Sequence, residues 1–424
     1  MRPIIENLPN KLRVLVTPVL SVGSATALVL VAAGSRYEKK KINGLAHFAE
    51  HMFFKGTKKR PSAIDISSVI DGIGGEFNAF TSKEYTGYYV KAAANHLSLA
   101  LDVLSDMLLH SKFDKSEIDR ERGVILEELR MYLDTPMRHI GDVFEELLYG
   151  DQPLGWNTVG SVESLKNIER GDFLSYIDTF YRPANMIVSI SGGVDAQKAR
   201  FLVDKYLGSR KTKETKKFLP AVDSQKEAVV KLVNKKTEQG HFCLGVRSYR
   251  RGHPNRYKLA ILNTILGASM SSRLFIQLRE RRGLAYYVRS SVEEYHDAGF
   301  FVVQAGVEIN KIKEAIKVSL EELAKLSVKL VSDEELKKAK EYIKGKLILE
   351  LEDSREVAGM FGSQLLLEGK IRTPQEIMEK IDAVKISDIQ NVAYDIFKDS
   401  RLNLAIIGPY KDEEKFGKIL KLSS

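Results

Sequence analysis

The same order of elements runs twice along this chain, and that duplication constrains its fold more than any other feature. Two strand patterns, two helices, two more strands, a group of long helices, a strand and a final helix recur at a period of about 200 residues. In the first half, strands are expected near 13–17 and 26–33, then near 76–81 and 85–92, with helices from His96 onward. In the second half, 229–234 and 241–247 take the first pair of positions and 284–292 with 299–307 the second. Helices from Lys311, Asp333, Arg355 and Thr373 follow, then a strand near 403–407. Between the copies, 208–226 carries Lys-Thr-Lys-Glu-Thr-Lys-Lys and Pro220, the composition of a linker. The expected division is therefore 1–207, a linker at 208–226, and 227–424.

Composition narrows the class. A chain of 424 residues, 44% hydrophobic, can bury two or more substantial cores. The first apolar stretch, 19–34, is interrupted by Ser21, Gly23, Ser24 and Thr26. It reads as a buried strand, not as a signal peptide or membrane span. A single cysteine, Cys243, excludes an intrachain disulfide framework and points to a reducing compartment, with the cytoplasm as the expected location. The net charge of +9 comes from 65 basic residues dispersed among 56 acidic ones, in runs no longer than 39–41, 58–60 and 279–282. Without a recognition motif beside them, these are solvated faces, and neither nucleic acid nor membrane is expected as a partner.

The chemistry concentrates in the run from Asn43 to Gly56, where His47, Glu50 and His51 stand at the spacing His-x-x-Glu-His. On a helix the two histidines lie one turn apart on one stripe, and Glu50 shares that side, placed to take a proton from water at a metal. Leu45, Phe48, Ala49 and Met52 supply the packing face, with Asn43 expected as the cap and Gly56 as the stop. Catalytic zinc takes three protein ligands, so one more must come from elsewhere. The best source is an acidic helix expected over 114–134, ahead of Pro136. In it Glu121 and Glu128, seven apart, share a face, whereas Glu127 points about 100° away. Glu128 could ligate and Glu121 could orient a ligand histidine. Periodicity alone does not choose between Glu127 and Glu128. The counterpart in the second half, 255–264, holds no ligand pair, so one half carries the metal and the other serves differently.

Three runs, HFAEHMFFKGT, GGEFNAFTSKEYTGYY and ERGVILEELRMYLDTP, resemble the pitrilysin/insulinase family of zinc metallopeptidases, in its short branch similar to mitochondrial processing peptidases. The resemblance continues through QPLGWNTVGSVESL, YRPANMIVSISGGV and LRERRGLAYYV, over essentially the whole chain. It implies an α+β fold of two homologous α/β halves, each a mainly antiparallel sheet flanked by helices, facing each other as a clamshell around a chamber. The first half would be catalytic and the second substrate-binding. The resemblance places the third ligand on Glu128, in the V-I-L-x-E pattern, and the supporting role on Glu121, with one Zn2+ per chain. It further implies that Arg279 and Tyr286 bind substrate carbonyl groups and the developing oxyanion. The segment 77–82 resembles the family's substrate-holding edge strand, which assigns Asn78, Ala79 and Phe80 to the peptide. The implied activity is a zinc-dependent endopeptidase with Glu50 as general base, acting on peptides or unfolded segments in the enclosed chamber. The implied assembly is a dimer of two such chains or of this chain with a homologue. The other reading the family allows is a non-catalytic or partner-dependent subunit of a heteromeric processing peptidase. Two departures, Gln152 where many relatives have His before Pro-Leu-Gly and Asn10-Lys11 in place of Asn-Gly, leave the metal set untouched.

Overall fold

A computed structural model describes residues 2–422. They form two compact units, one of residues 2–129, 156–219 and 347–374, the other of residues 130–155, 220–346 and 375–422. Each is an α+β unit built on a mainly antiparallel sheet.

The first unit holds six strands, β1 (Ile4–Asn7), β2 (Arg13–Pro18), β3 (Ser24–Val31), β4 (Glu76–Thr81), β5 (Thr86–Ala93) and β6 (Met186–Gly192), in the order β1-β2-β6-β3-β5-β4. Only β2 and β6 run parallel. Strand β3 shows why this sheet is covered on both faces. Its Ala27, Val29 and Val31 join the main core with Leu101 and Leu104 of helix Leu97–His110, while Leu28 and Leu30 pack with Ala358. Alternate side chains point to opposite faces, and both sets are apolar, so a one-sided sheet would leave one set in water. The covering element on the second face is helix Ser354–Glu368, drawn from late in the sequence. Ser189 Oγ donates to its Ala358 carbonyl at 2.8 Å, and a Cβ at Gly362 would stand 2.7 Å from Leu30 Cδ1.

The second unit repeats the plan with β7 (Val229–Asn234), β8 (Gln239–Arg247), β9 (Ala285–Glu294), β10 (Gly299–Glu308) and β11 (Asn403–Gly408), in the order β7-β11-β8-β10-β9. Helices Ile312–Val328 and Ile386–Ile396 share the main core on one face. The other face receives helix Pro136–Tyr149, whose Ile140, Val143, Phe144 and Leu148 follow the i, i+3, i+4, i+8 spacing of a buried stripe. They pack with Cys243, Phe300, Val302, Ala405 and Ile407. The backbone at Gly245 comes so close that a Cβ there would meet Phe144 Cζ at 2.8 Å and Phe301 O at 2.1 Å.

Each sheet therefore takes its second cover from the other half of the sequence, and the compact units depart from the halves 1–207 and 227–424 in those two segments. Of the expected strands, 76–81 and 229–234 have the expected bounds and the others shift at their ends by one or two residues. Strand β1 was not expected, because its residues are mostly exposed and carry no alternation. Residues 211–226 are without regular structure. Among the described residues no helix is long and apolar enough to cross a membrane.

Phe144, 1% exposed, is the ring around which helix Pro136–Tyr149 is seated, T-shaped against Phe300 at 5.6 Å. Phe144→Ala is expected to lower the stability of the second unit by about 3–5 kcal/mol in chemical denaturation. A loss below about 1 kcal/mol contradicts that seating.

Candidate metal centre

The His-x-x-Glu-His run forms helix Leu45–Met52, and its sequence fixes which side faces the core. Leu45, Ala46, Phe48, Ala49 and Met52 are buried, with Phe48 edge-on to Phe173 at 5.0 Å, which leaves His47, Glu50 and His51 half-buried on the opposite stripe. Asn43 does not cap this helix, because its side-chain amide is engaged by Glu38 at 2.8 Å and Gly44 takes the N-cap position with φ +97°. Gly56 is not the stop either: the helix ends at Met52, and Gly56 lies in the following turn with φ +117°.

The acidic helix spans Lys115–Leu133 and buries Ile118, Glu121, Ile125 and Leu129. That stripe carries Glu121 inward and brings Glu128, two turns on, to the same stretch of the first unit. Glu128 Oε2 stands 3.7 Å from His47 Nε2 and 3.6 Å from His51 Nε2. The three groups offer donor atoms all within 4.8 Å of one another. These separations are too long for hydrogen bonds. They are close to the roughly 3.4 Å between two donors that share a tetrahedral zinc at about 2.0–2.2 Å. Two neutral imidazoles and a carboxylate are also a donor set that zinc accepts, so the residues fit the metal. Glu127 is outside this group.

The electrostatics prepare the ligands. Burial, with the neighbouring His51, pushes His47 down to about 3, so its ring is neutral at physiological pH and its lone pair is available. His47 Nδ1 is buried without a hydrogen-bond partner among the described residues. His51 Nδ1 meets Glu121 Oε1 at 2.9 Å, and Lys55 Nζ donates to Glu121 Oε2 at 2.6 Å. Burial works to raise the Glu121 carboxyl, but the hydrogen bonds from His51 and Lys55 and the Lys55 charge hold it below its ordinary value. A charged Glu121 keeps the proton of His51 on Nδ1 and turns the Nε2 lone pair toward Glu128.

Glu50 sits apart from the three donors, with Oε2 accepting from Thr81 Oγ at 2.5 Å. Burial, with the nearby Glu128 carboxylate, raises its carboxyl above the ordinary value, against the Thr81 hydrogen bond. Thr81 ends β4, which among the described residues pairs only with β5 and so has one open edge. Phe77, Ala79 and Thr81 alternate with the more exposed Glu76, Asn78 and Phe80, and Phe77 packs on Phe54 at 5.7 Å between ring centres. Asn78 Oδ1 accepts the Ala79 N–H at 2.8 Å.

Arg279 and Tyr286 lie in the second unit. Arg279 falls in a π-helical turn, Phe275–Glu280, and Tyr286 is skipped in the β9–β10 register, where Gly306 pairs with Tyr287 and Val307 with Ala285. The bulge turns Tyr286 out, 70% exposed, while Tyr287 turns in to meet His241 Nδ1 through its hydroxyl at 3.1 Å. Arg279 Nη1 donates to the Tyr286 carbonyl at 2.9 Å, so the two residues are tied locally. Thr81, Lys55 and Glu38 belong to the site without having been singled out from the sequence. Thr81 shares the face of Ala79 by strand alternation and Lys55 follows His51 by four, so both had a signal. Glu38 reaches the helix through a loop and had none.

Comparison with known proteins adds to this geometry. Residues 16–161 match the family described as insulinase, peptidase family M16, and residues 167–343 match the peptidase M16 inactive domain. The chain is 37% identical over 400 residues to an uncharacterized zinc protease, YmxG, of Bacillus subtilis, covering 94% of this chain and 97% of that one. It is 36% identical over 414 residues to an uncharacterized zinc protease of Streptomyces coelicolor, covering 96% and 90%. The crystal structure of a protease from Helicobacter pylori is similar with a TM-score of 0.89 at 27% identity, covering 96% of this chain and 99% of that one.

Glu121→Gln keeps the size of the side chain but loses the charge that His51 and Lys55 share. Zinc affinity, measured by competition with a chelator, is expected to fall roughly 10- to 100-fold, and an unchanged affinity contradicts the role given to Glu121.

Proposed function

As a member of the insulinase family, peptidase family M16, this chain is a metallopeptidase, and on that premise we propose that it is a zinc-dependent endopeptidase of the His-x-x-Glu-His type, cutting peptides or unfolded segments with Glu50 as general base. The observation that carries the proposal is the convergence of His47, His51 and Glu128, with Glu50 on the same helix as both histidines. Zinc held by those three residues supplies, when bound, a Lewis acid that acidifies water and polarises a peptide carbonyl.

The chain's own residues do the rest. Thr81 donates to Glu50 Oε2 and so leaves Oε1 to take the proton of the attacking water. Glu50, its carboxyl raised by burial, then returns that proton to the leaving amine. Glu121 holds the His51 ring while this happens. A peptide strand adds to the open edge of β4 at Asn78, Ala79 and Phe80, where backbone pairing binds substrates with little regard for sequence. The Asn78 side chain, now covering the Ala79 N–H, swings aside for it. Arg279 and Tyr286 take the carbonyl and oxyanion contacts that the family resemblance assigns them, which suits a charged donor and a phenol displayed on a bulge. The same proposal includes a dimer, of like chains or with a homologue, and a cytoplasmic location, which the free and buried Cys243 supports.

Glu50→Gln is expected to bind zinc as the wild type does and to cleave a quenched fluorescent peptide roughly 10²- to 10⁴-fold more slowly. Retained turnover in purified Glu50→Gln protein sinks the base assignment. Zinc binding by the wild type without cleavage replaces the proposal with that of a subunit that needs a partner.

A further inference from the structure

The helix that carries His47, Glu50 and His51 begins on a buried carboxylate that the reaction does not use. Glu38, 7% exposed, follows the turn Ser35–Tyr37. Its Oε2 accepts the Gly44 N–H at 2.7 Å and the Asn43 Nδ2 at 2.8 Å, and its Oε1 accepts the Ala46 N–H at 2.6 Å. Burial pushes the carboxyl up to about 7, while the two backbone donors, Asn43 and the Lys83 charge favour its ionised form. A buried carboxylate is costly unless its oxygens are bonded, and here two of the donors are the N–H groups that a helix start leaves unpaired, at the positive end of the helix dipole.

The surroundings allow this end of the helix little freedom. Gly44 has φ +97°, and a Cβ on it would meet Val159 O at 2.3 Å. Ser164 Oγ donates to Asn43 O at 2.7 Å. Ala46 immediately precedes His47, so the 2.6 Å bond from its N–H to Glu38 is made at the peptide next to the first ligand. The helix has only 8 residues, too few to hold its own phase by length. A side-chain donor roughly 6 Å from a helix axis moves about 1 Å when the helix turns by about 10°. Metal sites tolerate only about 0.2 Å in their ligand distances.

We infer that Glu38 is a positioning residue for the metal centre, its buried carboxylate clamping the first-turn N–H groups of Gly44 and Ala46 so that the helix presents His47 and His51 to Glu128 in one fixed phase. The inference rests on the proposed reading of those three residues as a zinc site.

The test uses the full chain at pH 8. Zinc affinity is measured by competition with a chelator, and the visible spectrum is recorded with cobalt(II) in place of zinc. Wild type is compared with Glu38→Gln and with Leu202→Ala, a core truncation in helix Ala196–Leu207 of the same unit. The expected result is that Glu38→Gln binds zinc roughly 10- to 100-fold more weakly and alters the cobalt absorption, while Leu202→Ala keeps the affinity and spectrum of the wild type. If Glu38→Gln does not fold, Glu38→Asp, which keeps the charge one methylene short, replaces it with the same expectation. Wild-type affinity and spectrum in the folded Glu38 variant overturn the inference and leave the zinc reading standing. Equal losses in the Glu38 variant and Leu202→Ala also overturn it, since the effect is then general stability. Absence of zinc binding by the wild type removes the zinc reading itself.

Discussion

Helices Leu45–Met52 and Lys115–Leu133 are tied by the bond of 2.9 Å between His51 Nδ1 and Glu121 Oε1, across 70 residues of sequence. Glu121 is buried and Lys55 supplies its second partner, so its carboxyl is held below its ordinary value against the burial that works to raise it. The same contact sets the tautomer of His51, and the helix face that carries Glu121 carries Glu128 two turns later. Buried apolar residues on both helices, Phe48 and Met52 on one and Ile118, Ile125 and Leu129 on the other, keep the two ligand faces from turning away. The candidate metal centre is thus a by-product of packing that would be needed to bury these helices in any case, with a small polar set laid along one side.

The duplicated plan ends each sheet on an edge strand, but the two edges differ in how their backbone groups are covered. Strands β4 and β9 both end their sheets. Beside β4, the Ala79 N–H is covered by the side chain of its neighbour Asn78. On β9, Arg279 occupies the carbonyl of Tyr286, and Ser290 donates its N–H to the Gly267 carbonyl at 3.0 Å. Edge strands that are not meant to pair are usually blunted, and bulges are one of the means. The edge of the second copy displays Tyr286 and anchors Arg279, while among the described residues the outer edge of β4 has no strand partner.

Much of this was legible in the sequence, for physical reasons that differ by element. Strands such as β7 and β4 announced themselves through β-branched and aromatic residues between turn signals, and the long helices through their apolar stripes. The metal helix was found by ligand spacing, yet its ends were misread: Asn43 and Gly56 are good capping residues, but a distant carboxylate and a left-handed Gly44 displaced them. Glu127 and Glu128 differ by one step of rotation, which periodicity could not resolve and the packing of Ile125 and Leu129 does. The exchanged covers of the sheets, helices Pro136–Tyr149 and Ser354–Glu368, were not foreseen because helix patterns report an apolar face and not the sheet that receives it.

Of those two glutamates, Glu128 joins the two histidines in the candidate metal site and Glu127 does not. Zinc-edge X-ray absorption on zinc-loaded wild type, Glu127→Gln and Glu128→Gln reads the coordinating atoms directly. Two imidazole nitrogens with a carboxylate oxygen in the wild type, unchanged in Glu127→Gln and stripped of the carboxylate or of the metal in Glu128→Gln, is the predicted result. A wild-type spectrum kept by Glu128→Gln, or lost in Glu127→Gln, contradicts it.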